Sequence, residues 1–199
     1  NIYVGGTAKT PLTIKLNQIL QKLNFKTATI KKYYKNQIDE QKLLAKKSNL
    51  YCKKKRVDAL NIAIKDNIDI AIFDDGLQDR HLKYDLSFVC FNNVNWIGNG
   101  YLIPSGPLRE KLKSISKYDA IFLSGNEDNN SYIKNSIKKI DPNIKIFETY
   151  YEPTNHQEFN IDDNYLIFSG VANPNSFKNT LLKKKFKIIK EINFPDHYQ

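Results

Sequence analysis

The stretch "VGGTAKTP", residues 4–11, decides how the rest of the chain is read. It follows the apolar Ile2-Tyr3-Val4, the end of a strand, and precedes Leu16, Ile19, Leu20 and Leu23, spaced as one helical face. Strand, glycine turn and helix in this order let successive backbone N–H groups cradle phosphate oxygens, with the helix N-terminus adding its positive end. In that reading Gly5, Gly6, Thr7 and Ala8 form the cradle, Lys9 reaches the phosphates and the Thr10 hydroxyl ligates Mg²⁺. Pro11 suits the opening of the helix. Against the pattern GxxxxGK[ST], however, Tyr3 and Ala8 stand where the two glycines belong. If residue 8 needs a positive φ, alanine costs roughly 1–2 kcal/mol there; at negative φ the methyl costs little. Taken alone, the loop reads more readily as a glycine turn in a lysine-rich chain than as a nucleotide site.

A second stretch bears on that choice. "IAIFDDGLQ" (70–78) is a continuous apolar run ending in Asp74 and Asp75, as a buried parallel strand reads. A Walker-type enzyme needs a carboxylate at the end of such a strand to hold the metal or its water shell. Gly76 permits the tight turn that follows, and Gln78 either contacts nucleotide or begins a helix. Acids at strand ends also cap helices, but two adjacent acids behind a Gly-Gly…Lys-Thr loop favour a Mg²⁺-dependent P-loop enzyme.

Working outward, short β-rich runs alternate with helical stretches. Strands are expected at 27–30, 69–75, 85–91, 119–125, 144–150, 165–170 and 187–194. Helices are expected at 39–48, 56–66, 131–140 and 175–184. Alternation of this kind predicts an α/β fold, a mostly parallel sheet flanked by helices and joined by right-handed crossovers. Residues 92–110 form a long Gly-, Pro- and Asn-rich loop of the sort that is usually functional or disordered. The polar 150–164 segment reads as a hinge, which gives a P-loop core over 1–150 and the start of a C-terminal lobe over 151–199.

The 199 residues are 41% hydrophobic and 12% aromatic, enough for a sizeable core rather than a disordered polyelectrolyte. Thirty-one Lys+Arg against 21 Asp+Glu leave a formal charge of +10. That balance fits an anionic partner as well as it fits lysine-rich compositional drift. A nucleic-acid module would add interleaved basic and aromatic motifs, and none is evident. Cys52 and Cys90 have no CxxC spacing, which argues for a reducing compartment and against both a disulfide framework and a zinc site. An NKxD run is absent, which weighs against a GTPase. The opening "NIYV" and the closing "FPDHYQ" give the chain the look of an internal fragment.

In order along the chain, "VGGTAKTP", "DDGLQ", "GNGYLIPSGPLRE" (98–110), "SGVANPNSF" (169–177) and "FPDH" (194–197) resemble the tetraacyldisaccharide 4'-kinase family, the lipid A 4'-kinases of Gram-negative bacteria. "DEQKLLAKKSN" (39–49) resembles the family's "GDEP.LLAR" element. The resemblance implies a P-loop kinase that uses ATP and Mg²⁺ to phosphorylate the 4'-hydroxyl of a tetraacyl glucosamine disaccharide 1-phosphate. It implies action at the cytoplasmic face of the inner membrane; a monomer is expected, and the absence of basic and aromatic motifs argues against nucleic acid as a partner. It carries Lys9 and Thr10 over as phosphate and metal residues, Asp74 and Asp75 as the Walker-type acids, and Asp39 with His197 as a carboxylate–histidine catalytic pair. A His held by a carboxylate is a suitable base for a sugar hydroxyl near pH 7. On its own residues, Asp39 reads equally as a helix cap and His197 as a surface residue. In the long loop Arg109 and Glu110 either meet substrate or form a surface ion pair, and Asn99 either turns the loop or touches substrate. The tract "KKKR" (53–56) reads as a solvated face. Departures from the family are Ala8 for glycine, "KKYYKN" (31–36) for "SRGYGR", Gln41 for proline, Asp79 in "DDGLQHR" and Ala172 in "GIGNP". They leave room for a slow or inactive homologue, or for another P-loop kinase with a small-molecule acceptor.

Overall fold

In a computed structural model of the chain, the described residues are 2–79, 81–125, 130–153, 155–171 and 173–195. They fall into two compact units: Ala8–Asp85, and Ile2–Thr7 together with the chain from Leu86 onward.

The first unit opens with α1 (Lys9–Lys22), then β1 (Thr27–Lys32), α2 (Ile38–Lys47), β2 (Leu50–Lys53), α3 (Arg56–Lys65) and β3 (Ile70–Phe73). Its three strands are parallel in the order β2-β1-β3, with Thr29 of β1 paired to Leu50 on one side and Ile72 on the other. As the middle strand, β1 is covered on both faces, and its first five residues are buried. Ala28 and Ile30 pack with Ala59 and Ala63 of α3, and the small alanines let the helix sit close to the sheet.

In α1 the expected apolar stripe is not the buried one. Thr10, Thr13 and Asn17 face inward, while Ile19 and Leu23 are 44% and 61% exposed. Polar residues hold the inner position because a partner meets them: the buried Thr27 hydroxyl donates to Asn17 Oδ1 at 2.6 Å. That bond offsets part of the cost of burial, although Asn17 Nδ2 is buried with no partner among the described residues, and periodicity of apolar residues alone picked the wrong face.

The second unit holds β4 (Phe88–Asn92), β5 (Ala120–Ser124), α4 (Ser131–Ile140) and β6 (Lys145–Thr149). These strands are parallel in the order β4-β5-β6. Val89, Phe91, Ile121 and Leu123 are buried, as are Ile133 and Ile137 of α4. Phe122 stacks on Phe147 with ring centroids 5.1 Å apart. Beyond the polar segment, β7 (Asn164–Ser169), α5 (Pro174–Lys183) and β8 (Lys187–Asn193) form a parallel pair with its crossover helix. The "NPNS" residues explain where α5 starts: the Asn173 side chain accepts from the Ser176 N–H at 3.2 Å, and Pro174 takes the first helical turn.

The alternating α/β pattern with parallel strands is therefore what the sequence predicted. One strand, β2, lies between expected elements. The long loop is also not loose. Ile2-Tyr3-Val4 runs antiparallel to it: Val4 N–H donates to Pro107 O at 3.0 Å, and Arg109 N–H donates to Ile2 O at 2.6 Å. Ile2 and Leu108 are buried at this junction. No helix among the described residues is long and apolar enough to cross a membrane.

Candidate functional site

The loop answers the question its sequence posed. Ala8 adopts φ 60°, ψ 26°, the left-handed conformation that favours glycine, and its carbonyl accepts the Leu12 N–H at 3.1 Å to begin α1. Its methyl cannot cap the helix, so the N-terminus has no side-chain cap. Gly5 is left-handed as well, with φ +81° and open space where a Cβ would stand. In the second unit the Thr7 hydroxyl is buried with no hydrogen-bond partner among the described residues. Lys9 and Thr10 form the first turn of α1, so Thr10 points to the inner side while Lys9 stays half-buried.

Within the first unit, β1 and β3 bring the second motif against Thr10. Asp74 follows β3, its N–H donates to Ile30 O at 3.0 Å, and its side chain is 1% exposed. Thr10 Oγ1 lies 3.4 Å from Asp74 Oδ2. The same carboxylate oxygen receives the Lys31 ammonium at 2.7 Å, and Lys31 also reaches Glu40 Oε2 at 2.7 Å. The other oxygen, Asp74 Oδ1, is buried with no partner among the described residues. Burial works against the Lys31 charge, but Asp74 and Glu40 outweigh it and hold its pKa above the usual lysine value.

The Asp74-Asp75-Gly76 turn is braced from several sides. Asp75 takes φ 57°, which an aspartate tolerates better than most residues. Arg56 Nη2 donates to Asp75 O at 2.6 Å, and Arg56 Nη1 lies 3.6 Å from Asp79. Burial pushes the Asp79 carboxyl up, but the backbone and ring of His81, with Arg56, pull its pKa below the usual aspartate value. The Tyr84 hydroxyl donates to Gly76 O at 2.8 Å. A Cβ on Gly76 would stand 2.8 Å from Phe73 Cβ and 3.0 Å from that hydroxyl, so only glycine fits.

These contacts settle several sequence readings. The "KKKR" tract is not one solvated face: Lys53, Lys54 and Lys55 are exposed, but Arg56 is buried and holds the acid-rich turn. Lys31, passed over in "KKYYKN", is the cation of the Asp74 pocket. A lysine at the end of a buried strand is the signal that would have found it, since a buried ammonium demands a carboxylate partner. Gln41, standing for proline, donates to Tyr34 O at 2.6 Å and Gln37 O at 2.9 Å, which ties the first turn of α2 to the preceding loop. Asp39 sits exposed in that first turn, beside Glu40. His197 lies outside the described residues, so nothing places it against Asp39. Gln78 follows the braced turn, two residues after Gly76.

In the second unit Asn99 turns the loop. Its side chain donates to Ser105 O at 2.9 Å and accepts from the Tyr101 N–H at 3.2 Å. Arg109 is fixed by its backbone to Ile2, and the Glu110 carboxylate accepts from the Tyr118 hydroxyl at 3.1 Å. Burial, then Glu110, pushes the Tyr118 pKa up to about 12.

The Thr10 hydroxyl beside Asp74, with one bare buried carboxylate oxygen, suits Mg²⁺, which takes oxygen ligands and commonly only one or two carboxylates plus phosphates. No cluster of three potential metal ligands among His, Cys, Asp and Glu occurs in the described residues, so the protein here offers a partial coordination set.

The model of the family described as tetraacyldisaccharide-1-P 4'-kinase matches residues 1–199. A tetraacyldisaccharide 4'-kinase of Pelagibacter ubique is 53% identical over the whole chain, which covers 63% of that relative. Those of Rickettsia typhi and Wigglesworthia glossinidia brevipalpis are 34% and 29% identical, again over the whole chain, with 65% and 58% of the relative covered. The chain thus spans roughly three-fifths of the length of these relatives. No solved structure matches.

Proposed function

The chain belongs to the tetraacyldisaccharide-1-P 4'-kinase family, and from that premise we propose that the protein it comes from transfers the γ-phosphoryl group of ATP to the 4'-hydroxyl of a tetraacyl glucosamine disaccharide 1-phosphate. The observation that carries the reading to the level of chemistry is the Thr10–Asp74 pair, a hydroxyl and a buried carboxylate 3.4 Å apart directly after the Lys9 position of the loop.

Phosphoryl transfer requires positioning, charge neutralisation and removal of the acceptor proton. Backbone N–H groups of Gly5, Gly6, Thr7 and Ala8 hold the nucleotide phosphates, and Lys9 adds a point charge at the transferred group. Gln78 contacts the nucleotide. Thr10 and Asp74 hold Mg²⁺, with Asp75 serving the same charge from the braced turn. When bound, that ion neutralises the charge that builds on the phosphate oxygens. Asp39 orients His197, which accepts the 4'-hydroxyl proton as the new bond forms. Arg109 and Glu110 serve the acceptor; Asn99 acts on it indirectly, by shaping the loop that carries them. The family resemblance supports a reaction at the cytoplasmic face of the inner membrane, and the protein is taken to act there as a monomer.

The test is direct. The full-length protein incubated with ATP, Mg²⁺ and the detergent-dispersed tetraacyl disaccharide 1-phosphate should yield a product heavier by one phosphoryl group, located at the 4' position. Phosphorylation of a soluble acceptor with indifference to the lipid would overturn the assignment.

A further inference from the structure

The Asp74 pocket already contains a cation. Lys31 is the last buried residue of β1, and its ammonium spans two carboxylates, 2.7 Å from Asp74 Oδ2 and 2.7 Å from Glu40 Oε2. The Asp74 oxygen that the Thr10 hydroxyl approaches is the one the ammonium holds. The partner oxygen Oδ1 is buried and bare among the described residues. Two carboxylates and one ammonium leave these three side chains one negative charge in excess, with Lys31 and Asp74 nearly out of reach of solvent. Glu40 is 30% exposed at its side chain against 1% for Asp74, so the two anchors of Lys31 differ: one faces solvent and the other faces inward.

We propose that Lys31 is a resident counter-cation that competes with the divalent metal for Asp74, and that metal enters as the ammonium leaves Asp74 and remains on Glu40. The inference rests on the reading of Asp74 as a metal carboxylate and adds a residue that sets how readily the metal binds. With the metal away, Lys31 keeps a buried carboxylate from standing unneutralised, which would be costly. With the metal present, like charges repel across the shared carboxylate, and Glu40 gives the ammonium a place to go without crossing into solvent. Lys31 thus lowers metal affinity in the nucleotide-free protein.

The experiment titrates Mn²⁺, followed by electron paramagnetic resonance, into the full-length protein without nucleotide. It compares wild type, Lys31→Gln, Glu40→Gln and Asp74→Asn, and a thermal melt of each establishes that it is folded. Lys31→Gln, which keeps a hydrogen-bond donor but no charge, should bind Mn²⁺ about tenfold more tightly, as expected for removing one unit charge beside the ligand. Glu40→Gln leaves Asp74 as the only carboxylate paired with Lys31 among the described residues and should bind more weakly than wild type. Equal affinity in wild type and Lys31→Gln overturns the proposal. If Lys31→Gln does not fold, unchanged or tighter binding by Glu40→Gln overturns it instead. Equal binding by wild type and Asp74→Asn, or no binding by any variant even with ATP added, overturns the metal reading beneath it.

Discussion

Ala8→Gly should stabilise the protein, and the size of the effect follows from the backbone. Ala8 sits at φ 60°, ψ 26°, with its carbonyl already committed to the Leu12 N–H. A non-glycine residue in the left-handed region pays about 1–2 kcal/mol through the clash of Cβ with the following carbonyl. Glycine removes that clash but returns freedom to the unfolded chain, at a cost of about 0.4–1 kcal/mol. The net gain is therefore about 0–1.6 kcal/mol with a middle of ~0.8, and that middle value for a chain of this size raises Tm by roughly 2–3 °C. Ala8→Asn makes a second comparison, because asparagine tolerates the left-handed region and offers an oxygen to the uncapped N-terminus of α1. Ala8→Val should lower Tm, since a branched Cβ worsens the clash. Scanning calorimetry of the four proteins at one concentration measures the series. A Tm for Ala8→Gly at or below that of wild type would refute the strain argument and mean that the methyl packs for more than its backbone costs. If strain also misaligns the phosphate cradle, Ala8→Gly raises kcat along with Tm.

Other residues of the site give sharper losses. Gly76→Ala forces a methyl to within 2.8 Å of Phe73 Cβ and should cost about 1–3 kcal/mol, read as a lower denaturation midpoint. Arg56→Met removes the donor to Asp75 O and the charge beside Asp79; a loss of about 1–3 kcal/mol is expected by urea unfolding, together with weaker metal binding. Tyr118, with its folded pKa raised to about 12, keeps its proton in the folded state over a range where the unfolded chain loses it. Stability from this group is present below about pH 10 and is lost as pH rises from there toward 12. Tyr118→Phe should therefore flatten the alkaline fall in stability, and Glu110→Gln, which lowers only the folded pKa, should make the fall smaller and end it at lower pH while its onset stays near pH 10.

The order of elements was legible because apolar runs and helical spacing survive a lysine-rich composition. Every helix and strand expected beyond residue 8 has a counterpart among the described residues, and β1–β8 pair in parallel, whereas Ile2-Tyr3-Val4 forms only an isolated antiparallel bridge at Tyr3. What escaped notice shares one physical cause: burial of polar side chains by pairing. Lys31 in β1 and Arg56 at the start of α3 sit among exposed lysines of the same sign, and no local pattern separates the buried charge from the solvated ones. Thr13 and Asn17 on the inner face of α1 were hidden for the same reason, behind a more conspicuous leucine stripe. β2 is a brief apolar "LYC" between Asn49 and Lys53, too short for its alternation to register. The motif loop, by contrast, was readable to the level of a single dihedral: alanine in a glycine position posed the question that φ 60° at Ala8 answers.

The central claim is that the buried Asp74 carboxylate, beside Thr10, serves phosphoryl transfer to a lipid 4'-hydroxyl. Asp74→Asn keeps the shape of the side chain and removes its charge. Transfer of radiolabelled phosphoryl from ATP to the tetraacyl disaccharide, measured for both full-length proteins after their folding is verified, tests this most directly. Loss of a metal contact worth several kcal/mol predicts a fall in kcat of roughly a hundredfold or more. Equal rates for wild type and Asp74→Asn would contradict the account, as would no lipid product from wild type under conditions where a related tetraacyldisaccharide 4'-kinase is active.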